Sequence, residues 1–347
     1  MKYVVLMLVI AGIALIGGFA LTQERSQMIV PNVATSSQET ASLSSSVNVQ
    51  EATSSATFSI PAATSSVTST APAPPATSPA TTTQETNMVL SDAVRFSDIA
   101  PSQGETVRMD IPRNFRNVTV TFDGKNMPVF AFEGEQHALL PIKAQETEGA
   151  HTVTVAAAGE KNYLKTITVR NGNFPVVALG IPPKLGVTPA ELVQGLEKEN
   201  ANINARVAKV TPQLYFTKGF GLPLADNTKI GSRYGEIRKT GDQVIYHMGV
   251  DFEGKEGDSI AAMNDGVVRE AQHTQLYGNI VIIDHGEGIY TMYLHLKTIL
   301  TSVGARVRKG QVIGVMGETG YATGPHLHLS VKVNGVSIDP LRFIKEF

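Results

Sequence analysis

The sequence predicts a mainly β protein built from antiparallel sheets, with one clear helix. Short runs of alternating apolar and polar residues recur between Val107 and Val333, and this period of two is typical of half-buried strands. Glycine-rich segments and the pair Asp123-Gly124 lie between the runs, as expected for turns. A helical pattern with its own start signal follows Thr188. Together these observations favour a mainly β fold.

The N-terminal segment, residues 1–23, is predicted to be a transmembrane anchor or a signal peptide. Tyr3 to Thr22 form an almost uninterrupted apolar stretch of about 20 residues, which is long enough to span a bilayer as a helix. Lys2 supplies the cytoplasmic positive charge, so the bulk of the chain is expected outside. The length favours a retained anchor, and cleavage near Ala20–Thr22 is the alternative.

Residues 24–88 are predicted to be a disordered linker. The composition shifts here to Ser, Thr, Ala and Pro, as in Ala71–Pro79. Such a segment has too little large apolar surface to offset its chain entropy. A flexible chain of about 60 residues spans on the order of 40–50 Å, which suits a tether or a spacer.

Residues 89–172 are predicted to form a small Ig-like β-sandwich domain. No catalytic group of side chains stands out within it. Its alternating runs are Val107–Ile111, Val118–Phe122, Val129–Phe132, His151–Val155 and Leu164–Val169.

A connector, residues 173–214, is predicted to contain one helix that ends near Val207. Thr188 is a suitable N-cap, Pro189 takes the first helical position, and Glu191 completes a capping box. Apolar residues at helical spacing form a stripe that Asn200 interrupts, so we expect the helix to pack on a domain. The stripe consists of Leu192, Leu196, Ile203 and Val207.

Composition limits the chemistry. The 347 residues carry a net charge of −2, and this near balance speaks against a nucleic-acid partner. The chain contains no cysteine, so neither disulfides nor thiolate metal sites are available. Any zinc site must therefore use His and carboxylate ligands.

A pair of histidines lies in the last alternating run, Gly324-Pro-His-Leu-His-Leu329. If this run is a strand, His326, His328, Ser330 and Lys332 share one face. His247 and Asp251 lie four residues apart upstream, and His295 lies in another alternating segment. Three such ligands around one ion suit zinc, and a surplus of histidines favours a catalytic site. The residue types alone do not decide whether His326 or His328 binds the metal.

Seven segments, in order along the chain, resemble one enzyme family. From about Tyr215 onward the sequence is similar to the lysostaphin-type (LytM-like) zinc metallopeptidases of bacterial peptidoglycan. The matching segments are Gly231–Arg233, His247–Phe252, Ala262–Val268, Tyr277–Gly286, Tyr293–Leu296, Val307–Gly314 and Gly320–His328.

The resemblance implies the roles of five residues in a metallopeptidase domain at residues 215–347. His247, Asp251 and His328 would bind Zn²⁺, while His295 and His326 would act in catalysis beside it. The fold implied is an antiparallel β-sheet groove of the lysostaphin/LytM type. Because none of the five positions is substituted, an active enzyme is expected. The resemblance does not divide the base and acid roles between the two catalytic histidines.

The activity implied is zinc-dependent endopeptidase hydrolysis of peptidoglycan stem peptides or cross-links, for cell-wall remodelling. The alternative is a metal-free or low-activity scaffold that activates other cell-wall hydrolases. Expected partners are peptidoglycan, the membrane through the N-terminal helix, and cell-wall or division proteins. The expected location is the bacterial cell membrane, with the catalytic domain outside the cytoplasm, or secretion if the N-terminal segment is cleaved. His285, by contrast, is expected to make only a hydrogen bond at the end of a strand.

Overall fold

The computed structural model describes residues 89–178, 180–181, 183–224 and 228–347. The predicted anchor and the whole of the predicted linker lie outside these residues. Within the described part of the chain, no helix combines the length and the hydropathy needed to cross a bilayer. The described residues are mainly β and form part of one compact unit, so the predicted boundary at residue 172 stays a prediction.

The first part of the unit is a sandwich of two four-stranded antiparallel sheets. One sheet has the order β1-β2-β6-β5 and the other the order β4-β3-β7-β8. Alternate side chains of both sheets fill a shared core, which includes Met109, Val120, Leu140, Val153 and Ile167. The elements are α1 (Leu90–Ala93), β1 (Arg95–Phe96), β2 (Thr106–Ile111), β3 (Thr119–Phe122), β4 (Lys125–Met127), β5 (Val129–Phe132), β6 (Glu135–Pro141), β7 (Gly149–Ala156) and β8 (Tyr163–Val169).

The connector contains β9 (Val176–Ala178) and α2 (Pro189–Val207). The helix begins as predicted, because the Thr188 hydroxyl accepts from the Glu191 amide and the Glu191 carboxylate accepts from the Thr188 amide. Ile203 and Val207 pack on one face of the large sheet described next.

The C-terminal part contains an eight-stranded antiparallel sheet with the order β10-β13-β21-β17-β16-β15-β19, and β22 pairs with β21. Two further sheets have three strands each, in the orders β12-β11-β9 and β14-β20-β18. The elements are β10 (Ile230–Ser232), β11 (Ile237–Thr240), β12 (Gln243–Tyr246), β13 (Val250–Glu253), β14 (Ser259–Ala261), β15 (Gly266–Thr274), β16 (Gly278–Gly286), β17 (Ile289–Leu296), β18 (Thr298–Ile299), β19 (Arg306–Val307), β20 (Val312–Val315), β21 (His326–Val333), β22 (Val336–Ile338) and α3 (Pro340–Phe343).

An aromatic cluster joins the sandwich to the C-terminal part. The ring centroid of Phe132, on β5, lies 5.4 Å from that of Phe216 and 5.6 Å from that of Phe347. Such contacts bury large apolar surfaces and favour tilted or edge-to-face geometry. The two parts therefore share a continuous core.

The large sheet has two different faces. On β21, Leu327, Leu329, Val331 and Val333 point into the apolar core. The opposite face carries the alternate residues of the same strand, and most of the sequence-predicted site residues are found there. This alternation follows directly from the period of two in the sequence.

Candidate metal centre

Strand register brings the predicted metal ligands together. β13 pairs with β21 so that Asp251 lies directly opposite His328. On the other side of β21, Leu294 of β17 lies opposite His328. His247 lies three residues before the start of β13 and reaches the same place from the end of the strand.

Three ligand atoms converge at this point. The Asp251 Oδ1 atom lies 2.9 Å from His247 Nε2 and 2.8 Å from His328 Nδ1. The two ring nitrogens lie 3.0 Å from each other. In a tetrahedral zinc site with bonds of about 2.0–2.1 Å, ligand atoms are about 3.3 Å apart, so the cluster needs only a small expansion to hold the ion.

The remaining ring nitrogens of His247 and His328 have partners that fix the tautomers. His247 donates from Nδ1 to the Arg233 carbonyl over 2.8 Å, which leaves a lone pair on Nε2. His328 Nε2 lies 2.9 Å from Ser330 Oγ, whose hydroxyl donates to the Met248 carbonyl. Because the Ser330 hydroxyl proton is already donated to Met248, its oxygen accepts a hydrogen bond from His328 Nε2. His328 Nδ1 therefore keeps its lone pair.

With these tautomers, two nitrogen lone pairs and one carboxylate oxygen face one another at about hydrogen-bond distance. Three acceptors without a proton between them repel one another, and a cation relieves that repulsion. The donor set of two imidazoles and one carboxylate, without thiolate, fits Zn²⁺ with a free position for water.

Asp251 is held as a carboxylate. Its second oxygen, Oδ2, accepts a hydrogen bond of 2.7 Å from Arg238 Nη2. Arg238 lies on β11, in the hairpin that β11 forms with β12.

The two predicted catalytic histidines lie beside the cluster. His326 donates from Nδ1 to the Gly324 carbonyl over 2.8 Å, and its Nε2 is 3.9 Å from Asp251 Oδ1. His295 donates from Nδ1 to the Thr319 carbonyl over 2.8 Å. The ring centroid of His295 lies 4.8 Å from that of His326 and 6.1 Å from that of His328.

His295 reaches the site through an unusual backbone conformation. Its φ of 63° lies in the left-handed region, which non-glycine residues seldom occupy. Strict alternation along β17 would put Leu294 and His295 on opposite faces, yet both line the same cavity. Strained conformations of this kind cluster at functional sites.

Burial keeps both inner imidazoles neutral. Burial, followed by the neighbouring charges of His326 and His328, lowers the pKa of His295 to about 3. Burial also lowers the pKa of His328 to about 4, although Asp251 opposes the shift. At neutral pH each ring therefore has a lone pair that can bind a metal or accept a proton.

A cavity of about 170 Å³ opens over the cluster. Its walls include Leu196 and Asn200 of α2, and Tyr321 from the loop before β21. Glu199 fixes α2 to the neighbouring turn, because its carboxylate accepts from the Leu276 and Tyr277 amides and the Thr274 hydroxyl. The connector helix thus forms part of the wall of this cavity.

Sequence reasoning missed the supporting groups of the site. Arg238, the Arg233 carbonyl and the Thr319 carbonyl come from loops or short strands that alternation does not predict. Ser330 lies on the predicted face of the strand. The hydrogen bonds that link it to His328 and to the Met248 carbonyl could not be predicted from the sequence.

The other histidines make structural hydrogen bonds. His285 is buried, donates from Nδ1 to the Asp265 carbonyl over 2.7 Å, and has Nε2 2.8 Å from Thr291 Oγ1. The expected strand-end hydrogen bond is confirmed. In the sandwich, His137 and His151 contact Asp110 and Asp123.

Comparison with known proteins finds that part of the chain matches one peptidase family. Residues 245–340 match the model of Peptidase family M23. The chain is 44% identical over 98 residues to peptidoglycan DD-endopeptidase ShyC of Vibrio cholerae, covering 28% of this chain and 23% of that protein. It is 40% identical over 124 residues to DD-carboxypeptidase/endopeptidase Mpg of Neisseria meningitidis, covering 35% of this chain and 29% of that protein.

The chain therefore spans less than a third of the length of these curated relatives. The likeness to a solved structure extends further along this chain. A Pseudomonas aeruginosa crystal structure assigned to peptidase M23 is 25% identical and has a TM-score of 0.54. It covers 71% of this chain, and this chain covers 96% of it.

Proposed function

We propose, from the premise that this chain carries a domain of peptidase family M23, that it is a zinc-dependent endopeptidase of peptidoglycan. Its substrates would be stem peptides or their cross-links, and its role cell-wall remodelling. The observation that carries the proposal is the convergence of three unprotonated ligand atoms, all within 3.0 Å of one another. The names of the relatives from Vibrio cholerae and Neisseria meningitidis support the substrate class.

In this proposal His247, Asp251 and His328 hold the metal. Bound Zn²⁺ would polarise the scissile carbonyl and acidify a water molecule. Arg233 and Ser330 keep the two imidazoles in the tautomers that present lone pairs. Arg238 holds Asp251 Oδ2 and so directs Oδ1 toward the histidines.

His295 and His326 are proposed to be the catalytic histidines. Each donates from Nδ1 to a backbone carbonyl, which leaves Nε2 as an acceptor beside the metal ligands. An acceptor there can orient a water molecule and take its proton. One histidine would take the proton of the attacking water and the other would stabilise the tetrahedral intermediate. Because the two rings have the same tautomer, the tautomers do not assign these two roles.

The alternative is a metal-free scaffold that activates other wall hydrolases. The complete ligand set of His247, Asp251 and His328, and the tautomers that present lone pairs to one point, support an enzyme. A metal-free scaffold would need neither feature. Residues 1–23 are proposed to anchor the chain in the bacterial cell membrane, with the peptidase domain outside the cytoplasm. The apolar stretch Tyr3–Thr22 supports that location, as does a peptidoglycan substrate.

Mass spectrometry of fragments released from purified peptidoglycan tests the proposed function. The zinc-loaded chain should release new peptide termini, and the masses would name the bond that is cut. A chelated sample and a His328→Ala sample serve as controls and should release none. No release by the zinc-loaded wild type would contradict the proposal.

A further inference from the structure

A lysine lies on the same strand face as the metal ligands. Lys332 follows His328 on β21 by four residues, which is about 13 Å along a strand. Its side chain lines the cavity that opens over the metal cluster, together with Ser337. One continuous space therefore connects the proposed zinc position with this ammonium group.

Lys332 is buried without a counter-charge. The residue is 5% exposed, and its Nζ donates to Ser337 Oγ over 2.8 Å. It forms no ion pair with any carboxylate of the described residues. Burying an ammonium group without an ionic partner is costly, and burial lowers its pKa to about 8. Lysines are rarely placed in this way unless they meet a partner.

Arg238, the other cationic side chain of the cavity wall, does have a counter-charge. Its guanidinium is already paired with Asp251 Oδ2. An ammonium group has three donors, and Ser337 takes one of those on Lys332. Two donors therefore remain for an incoming anion.

We propose that Lys332 forms an anion subsite that binds a carboxylate of the substrate peptide. The inference rests on the proposed peptidase function and extends it to substrate selection. At about 3.3–3.6 Å per extended residue, the carboxylate would lie within about four residues of the scissile bond. Charge-assisted hydrogen bonds to a buried carboxylate are among the stronger polar contacts, so the subsite would discriminate an acid from its amide.

The test uses matched pairs of cross-linked stem peptides in which one carboxyl group at a time is either free or a carboxamide. The value of kcat/KM is measured for the zinc-loaded full chain, for Lys332→Met and for Lys332→Arg. Lys161→Met, an exposed loop lysine of the sandwich, is the control. Zinc content and the melting temperature show whether each variant is folded.

The wild type should prefer one free acid over its amide by about tenfold or more, mainly through KM. The preference should fall to about one in Lys332→Met, be kept in part by Lys332→Arg, and be unchanged in Lys161→Met. If Lys332→Met is folded and still prefers the acid as strongly as the wild type, or if the wild type has no preference, the subsite is refuted.

Binding separates this inference from the proposed function. If the wild type cleaves neither peptide, the proposed activity fails, and calorimetric titration with the same acid and amide then tests the subsite alone. Tighter binding of the acid by wild type, lost in Lys332→Met, would keep the subsite. Equal binding of acid and amide by the wild type would overturn it.

Discussion

The Arg238 guanidinium lies 2.7 Å from Asp251 Oδ2, while Asp251 Oδ1 faces His247 and His328. The two oxygens of one carboxylate are therefore divided between a structural partner and the proposed metal. Outer partners of this kind orient ligands and tune metal affinity.

Replacing Arg238 should weaken zinc binding. Arg238→Gln removes the charge that holds Asp251 Oδ2, so the carboxylate is free to rotate away from the histidines. The expected loss is about 10- to 100-fold in zinc affinity, measured by competition with a chromogenic chelator. Arg308→Gln, at an exposed position of the same region, is the control and should bind zinc like the wild type. Unchanged affinity in Arg238→Gln would contradict the role given to this side chain.

The proposed metal ligands and catalytic histidines should be separable by substitution. His328→Ala removes a ligand and should lose zinc and activity together. His295→Ala should keep zinc, because the His295 ring centroid is 6.1 Å from that of His328, but turnover should fall by about 10²-fold or more. Zinc content by atomic absorption and kcat on a peptide substrate are the measurements. Normal turnover in His295→Ala would remove the catalytic assignment.

Gly249 should tolerate no side chain. A Cβ there would lie 2.5 Å from His328 Nε2 and 2.4 Å from the Leu329 carbonyl oxygen. Gly249→Ala should therefore displace the His328 ring and weaken zinc binding by about tenfold or more. Gly324→Ala makes the same chemical change nearby in open space and is the control. Equal zinc affinity in the two variants would show that the ring is not displaced.

His285 should make stability depend on pH. Burial lowers its pKa in the folded state to about 4, below the unfolded value of about 6.5. As pH falls below about 6.5 the unfolded chain takes up the proton first, so this contribution to stability declines until about pH 4. The loss is on the order of 3 kcal/mol in the free energy of unfolding. Between pH 7 and pH 4, the free energy of unfolding measured in urea should decline less steeply for His285→Asn than for the wild type. Parallel pH dependences of the two proteins would contradict the role given to His285.

The contact of α2 with the turn beside the cavity should restrain the proposed enzyme. Glu199→Ala removes the carboxylate that holds the Leu276 and Tyr277 amides, so the cavity wall loosens. We expect kcat/KM on cross-linked peptidoglycan to rise several-fold, while Glu197→Ala, on the exposed side of the helix, should change nothing. Activity of Glu199→Ala equal to that of Glu197→Ala would mean that the helix is only a support.

Local signals in the sequence predicted some elements well. The capping box at Thr188 and Glu191 depends on residues within one turn, so the start of α2 agrees with the prediction. Alternation along His326–Val333 predicted β21 and put His326 and His328 on one face. The mainly β fold followed from the same alternation.

Elements that depend on distant contacts could not be foreseen. β6 is buried on both sides, since Leu139 joins the core shared with the C-terminal part and Leu140 joins the sandwich core. Its sequence therefore lacks alternation, and no strand was predicted there. His295 reaches the cavity face of the sheet because its own backbone adopts a left-handed conformation. The periodicity of the sequence does not predict this conformation. Arg238 reaches Asp251 from a hairpin that pairs with the distant strand β9.

The central claim is that one zinc ion, held by His247, Asp251 and His328, makes this chain an endopeptidase. The most direct measurement titrates zinc into the chelated full chain while the release of new peptide termini from peptidoglycan is followed. Release should rise with added zinc, saturate at about one equivalent, and be absent at every zinc concentration in His328→Ala. Release that is complete before zinc is added, or that is retained in His328→Ala, would contradict the claim.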